Sequence, residues 1–190
     1  VALKSPEVLI CNFSGKQITQ DEAIFLTSSP DGVLIIDLNR DLPAKHICFE
    51  CKRVVLEASI KQGILAEFFG SNLKIPTDFV EKAHVLLKNK AINMLCLARK
   101  SGVLVFGFEK VLSAVNASEA EFLLHAIDGK EDGKQKTALN AGAIRIFSVF
   151  NAKELGGVIG RERIVHIAVL KGNVKMSLRL ASLIVKVQAF

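Results

Sequence analysis

The chain has no tryptophan and no tyrosine. Any stacking platform for single-stranded nucleic acid would therefore use phenylalanine, histidine or arginine planes. Only four cysteines occur in 190 residues (Cys11, Cys48, Cys51, Cys96), too few and too scattered for the disulfide framework of a small secreted domain. No apolar run approaches the ~20 residues that cross a bilayer. The first residues also lack a charged segment followed by an apolar one, the pattern of a secretory leader. Reduced thiols in a cytoplasm, away from any membrane, are the expectation. Internal repeats and low-complexity tracts are missing too.

Catalytic and metal constellations are equally scarce. His46, His84, His125 and His166 stand apart, and none accompanies a cysteine or serine in a nucleophile motif. His125 and His166 fall inside expected strands and read as core or edge residues. Cys48-Phe-Glu-Cys51 is the sole C-x-x-C; with Cys11 and His46 it would make a zinc set, but one pair alone has ligand spacing. Gly156, Gly157 and Gly160 follow a helix rather than a strand, so phosphate-loop logic does not apply to them. The expectation is a protein that is not an enzyme and has no cofactor and no metal.

What is present is apolar residue and positive charge. Half the residues are hydrophobic and 23% are charged, enough to build cores and too apolar for disorder. The net charge of +6 is lopsided. Residues 1–88 hold 10 Lys and Arg against 11 Asp and Glu, whereas residues 89–190 hold 15 against 8. A basic excess confined to one half attracts phosphates.

Along the chain, Val8–Cys11 reads as a short strand. Glu22–Thr27 and Val33–Asp37 read as a β-hairpin joined across Ser28-Ser-Pro-Asp-Gly32, whose Pro-Asp-Gly is turn chemistry. Glu50–Lys61 has apolar residues at helical spacing and stops at Gly63. This predicts an α+β N-terminal domain over 1–70. A linker and connecting helix cover 71–89, with Thr77 as the expected cap of the helix and Ala91–Lys100 as a second helical run. From Val103 onward, strands and helices alternate. Strands are expected at 103–105, 121–127, 144–149 and 164–170. Helices are expected at 107–116, 131–140, 151–159 and 173–187, the third opened by a capping box at Asn151-Ala-Lys-Glu154. Such alternation predicts an α/β/α three-layer sandwich over 90–190.

Within that domain Leu95-Cys-Leu-Ala-Arg-Lys-Ser-Gly-Val-Leu-Val-Phe-Gly-Phe-Glu-Lys-Val111 is followed, in order, by Ala126-Ile-Asp128, Lys153-Glu-Leu-Gly156 and Gly160-Arg-Glu-Arg163. These motifs resemble the ribosomal kink-turn-binding family (L-seven-Ae type), in its bacterial YlxQ-like branch. Upstream, Cys11, Ser28-Ser-Pro-Asp-Gly32, Asp37-Leu38, Leu42-Pro43 and Arg53-Val-Val-Leu-Glu-Ala58 resemble a YlxR-like domain. There the family's Gly-Arg-Gly stands as Ala44-Lys45-His46.

The resemblance implies a sandwich of the ribosomal kink-turn-binding type whose partner is structured RNA, ribosomal or translation-linked. In that family a helix start enters the RNA groove and a neighbouring loop covers a flipped-out nucleotide. It implies RNA-contacting roles for Arg99, Lys100, Gly107, Glu109, Lys110, Lys153, Arg161 and Arg163. In the N-terminal domain the corresponding residues are Lys45, His46, Lys52 and Arg53. The sequence also departs from the family. Gly-x-Asn-Glu-x-x-Lys reads here as Gly107-Phe-Glu-Lys-Val-Leu-Ser113, and the covering loop is Arg161-Glu-Arg163. Those changes displace the groups that read G·A edges, and favour recognition through phosphates and shape. The alternative is a protein-interaction adaptor on an RNA-binding fold that has lost specific readout.

Overall fold

Pro30-Asp31-Gly32 turns the chain where its chemistry dictates. In the computed structural model, which describes residues 7–190, Gly32 takes φ +75°. Its N–H bonds Ser29 O at 2.9 Å, and Ser29 N–H bonds Val33 O at 2.8 Å. The flanking strands β3 (Ala23–Ser28) and β4 (Leu34–Ile36) pair antiparallel with Leu26 opposite Ile36. They follow a small hairpin of β1 (Val8–Ile10) and β2 (Gln17–Thr19).

Where a helix was expected from Glu50, the chain first makes strand β5 (Ile47–Glu50), which pairs with β3, and helix α1 begins only at Arg53 (Arg53–Lys61). Alternation decides it: Ile47 and Phe49 are buried and their neighbours Cys48 and Glu50 are not, a period of two. β3 thus lies between β4 and β5. Gly63 does end α1, in the left-handed region at φ +75°, but a short second helix α2 (Ile64–Phe69) starts at once.

The two helical runs expected between Thr77 and Lys100 are one helix, α3 (Phe79–Lys100). No glycine or proline interrupts it, and Phe79, Ala83, Leu87, Ala91, Leu95 and Ala98 form a buried stripe at helical spacing. Asp78, rather than Thr77, supplies the first helical acceptor: its carbonyl receives Lys82 N–H at 2.9 Å. The chain divides into two compact units, one reaching Leu87 and including Ala189–Phe190, the other Lys88–Gln188.

The second unit alternates strand and helix: β6 (Leu104–Phe106), α4 (Phe108–Asn116), β7 (Ala120–His125), α5 (Glu131–Ala141), β8 (Arg145–Phe147), α6 (Ala152–Ile159), β9 (His166–Leu170) and α7 (Val174–Ala189). Its sheet runs β6-β9-β7-β8. β9 is antiparallel to both neighbours, and β7 and β8 are parallel. Val111 and Val115 of α4 meet Leu123 of β7, Ala168 of β9 and Ala141 of α5 in a buried cluster. Truncating Leu123 there would cost about 2–5 kcal/mol. This core fixes α4, and with it the helix start beside β6, against the sheet.

Candidate functional site

β6 delivers the chain to Gly107, the N-cap of α4, at φ +90° and ψ 151°. An added Cβ there meets open space, so the backbone angle rather than a neighbour requires glycine. Gly107 N–H bonds His166 O at 2.9 Å, tying the helix start to β9. No side chain caps α4, which leaves a first turn of N–H groups and a partial positive charge for an outside acceptor.

Cations from three separate stretches meet around this start. Lys110 Nζ lies 5.9 Å and Arg161 Cζ 5.3 Å from the centroid of the Phe106 ring. Arg99, near the end of α3, donates to Val158 O at 3.1 Å, and a Cβ on Gly160 would sit 4.0 Å from its Nη1. The loop carrying Arg161 and Arg163 is seated on Gly156 of α6. A methyl there would lie 2.6 Å from Arg161 O and 2.8 Å from Glu162 O, and Arg161 N–H bonds Gly156 O at 2.9 Å.

Farther round, Arg163 pairs with Asp128 at 3.2 Å, and Asp128 also accepts Ala152 N–H at 2.6 Å. That N–H bond, helped by Arg163 and Lys134, holds the Asp128 carboxyl below its ordinary pKa. The capping box of α6 forms as expected, with Asn151 Oδ1 accepting Glu154 N–H and Glu154 Oε2 accepting Asn151 N–H, both at 2.8 Å. Lys100, Glu109 and Lys153 are exposed. Glu109 stands in the first turn of α4, where a carboxylate suits the helix dipole.

The N-terminal candidates are differently placed, each held by a partner in its own unit. Lys45 Nζ sits 3.9 Å from the Phe68 ring centroid and donates to Phe68 O at 3.4 Å. Lys52 pairs with Glu50 at 2.5 Å, and Arg53 with Glu57 at 2.9 Å and with Glu81. His46 is held by a carboxylate: its side chain is 11% exposed and its Nε2 lies 2.9 Å from Asp37 Oδ2. The reason is the demand of a buried carboxylate. Burial alone would raise the Asp37 pKa, but the N–H groups of Leu42, Asp41 and Asn39 and the His46 ring outweigh it and bring it to about 2.

Sequence reasoning did not find the cavity of about 540 Å³ beside the α4 start, lined by Phe108, Gly133, Lys136, Arg163, Val165 and His166. His166 and His125 face each other across the β9–β7 pairing, rings edge to face at 4.9 Å. Phe108 meets the His166 ring edge-on at 5.8 Å. Burial, then the charge of Lys134, lowers the His166 pKa; burial, His166 and Lys134 lower that of His125 to about 4. His125 is satisfied by Thr137 Oγ1 at 3.0 Å. Among the described residues, the buried side-chain polar atom without a partner is His166 Nδ1. Phe106 and Phe108, flanking Gly107, were the available sequence signal; the histidine pair depends on strand register and left none.

The family model described as ribosomal protein L7Ae/L30e/S12e/Gadd45 family matches residues 90–178. Among solved structures, a protein with unknown function from Bacillus halodurans C is 30% identical over 50% of this chain and 96% of its own, with a TM-score of 0.46. The Giardia lamblia 15.5kD RNA binding protein is 17% identical over 54% of this chain and 88% of its own, with a TM-score of 0.44. No curated protein sequence matches significantly. The C-terminal region of the chain, residues 90–178, is thus a domain of the ribosomal protein L7Ae/L30e/S12e/Gadd45 family.

Proposed function

We propose that the second unit is a non-catalytic RNA-binding module, an α/β/α sandwich of the kink-turn-binding type that grips structured RNA of ribosomal or translation-linked origin. One observation carries the reading. Lys110 and Arg161 share the Phe106 ring, with Arg99 beside the same loop, next to an uncapped helix start. Three cations and a turn of free N–H groups suit phosphate oxygens, and Phe106 offers a face for a base or ribose. The family domain supports this, because the cluster occupies the stretch where the resemblance implies RNA contact. The first unit, in this reading, is a YlxR-like domain, and the whole protein works in the cytoplasm.

With ~4 phosphate contacts, log K against log salt should fall with a slope near −3. Binding of a ribosomal RNA fragment by the full chain, measured across salt concentrations, tests this. Lys110→Ala and Arg161→Ala should each flatten the slope by about one unit and weaken binding roughly tenfold at 0.1 M salt. Affinity indifferent to salt removes the reading.

The adaptor alternative has its own observation. Val174, Leu178 and Val185 lie along α7 at i, i+4 and i+11, and are 69%, 62% and 40% exposed. Exposed apolar side chains on one helix face favour a protein partner. A complex that forms in RNase-treated extract and is lost in Leu178→Asp would support it.

A further inference from the structure

From the arrangement of α7 we infer that its outer face docks an acidic amphipathic helix of a partner protein. The inference rests on the apolar face of the adaptor reading and adds the partner's chemistry. It leaves the Phe106 cluster to RNA.

At about 100° per residue, the side chains of α7 fall into three rows, each covering roughly a third of its circumference. Ser177, Leu180, Leu183, Ile184 and Val187 form the buried row. The second row is Val174, Leu178, Ala181, Val185 and Gln188, at alternating intervals of four and three residues. That is the spacing of a coiled-coil seam, the surface on which a second helix seats. Single exposed aliphatics are ordinary on a protein surface, whereas an aligned row of them marks a contact. The third row is basic. Lys175 and Arg179 are exposed, and neither has a carboxylate partner among the described residues.

Nothing within α7 accounts for that charge. Val174–Ala189 contains no acidic residue. Lys175 stands in the first turn, where the helix dipole disfavours a cation. Lys175 and Arg179 are four residues apart, so like charges lie on neighbouring turns. Both placements weaken the helix, and carboxylates supplied from outside relieve both.

The fitting partner brings an apolar stripe for the seam and carboxylates along one flank, which describes an acidic amphipathic helix. A second copy of this face would set cations against cations. Nucleic acid would satisfy Lys175 and Arg179 but leave the aliphatic row in water. A helix seated in a bilayer turns its main apolar face to lipid, whereas the main apolar row of α7 is buried in its own domain.

The test uses the full chain and two fluorescent peptides, each of three heptads with Ile and Leu along the seam. One peptide carries Glu on its flanks and the other Lys. By anisotropy at low salt, the Glu peptide should bind with a Kd on the order of 10–100 µM. The Lys peptide should bind at least roughly tenfold more weakly. Lys175→Glu combined with Arg179→Glu should invert that preference, a result that loss of folding cannot imitate. Leu178→Gln, at an exposed position, should weaken the Glu peptide about tenfold and keep the circular dichroism spectrum. No binding of the Glu peptide below about 1 mM, equal binding of both peptides, or an unchanged preference in the double variant overturns the proposal.

Other occupants would also overturn it. A micromolar dimer that Leu178→Gln dissociates assigns the seam to a second copy. Phosphatidylserine vesicles bound by the chain and released by Leu178→Gln assign it to lipid. Ribosomal RNA crosslinked within residues 174–186 assigns it to RNA. A protein complex lost in Leu178→Asp, with both peptides bound alike, keeps the adaptor reading and sinks the acidic partner. If the peptides behave as expected and no RNA binds, the RNA reading falls and the docking face stands.

Discussion

The two units use their cations in opposite ways. In the first, Lys45, Lys52 and Arg53 are turned to oxygen acceptors in the same unit, a backbone carbonyl or a carboxylate, and acidic residues nearly equal basic ones. In the second, Lys110 and Arg161 gather on Phe106, and their stretch of chain has a surplus of basic residues. A basic residue count therefore says little about binding; what matters is whether each cation already has an acceptor. Exposed ion pairs such as Arg53–Glu57 add only about 0–1 kcal/mol to stability, but they neutralise the charge a phosphate would meet.

The units should also part company in acid. His125 is 3% exposed, with its pKa lowered to about 4 against an ordinary 6.5. The unfolded chain binds the proton more readily, so stability present above pH 6.5 is lost as pH falls toward 4, up to roughly 3 kcal/mol. Asp37, lowered from 3.8 to about 2, contributes stability that survives until pH falls below about 4 and is lost toward 2, roughly 2 kcal/mol in all. Hydrogen exchange at stepped pH should show amides of β7 and β9 losing protection first and those of β3 and β4 later. His125→Gln should shift the first step and leave the second alone. Simultaneous loss in both regions would erase this contrast.

A smaller effect is expected where the loop is seated. Gly156→Ala puts a methyl against Arg161 O, so the loop must shift, at a stability cost of about 1–3 kcal/mol. RNA affinity should drop on the order of tenfold as Arg161 moves away from Phe106. A melting curve and a binding isotherm on the same variant check both.

The smallest effects should come from the first unit. Lys45→Ala, Lys52→Ala and Arg53→Ala should each change RNA affinity by less than about twofold. A tenfold loss in any of them would move the interface to the N-terminal unit.

What could be read from residues alone follows from the range of the forces involved. The Pro30-Asp31-Gly32 turn, the break at Gly107 and the capping box at Asn151 are set by neighbours in sequence, so their chemistry is visible there. The Arg161 loop and the helix start were legible as a pair through motif order, because a family pattern records which distant stretches meet. β5 was hidden because four residues cannot establish a period against the helix that follows. The continuity of α3 was hidden because no side chain announces that a helix does not stop. The Asp37–His46 bond and the His125–His166 pair depend on which strands lie side by side, and no local rule carries that information.

The central claim is that RNA rests on the cations around Phe106. Ultraviolet crosslinking of the full chain to bound RNA, followed by mass spectrometry of the attached peptides, tests it most directly. The account predicts adducts within residues 99–110 and 161–166, depleted in Arg161→Ala. Adducts confined to residues 45–53, or spread evenly over both units, would contradict it.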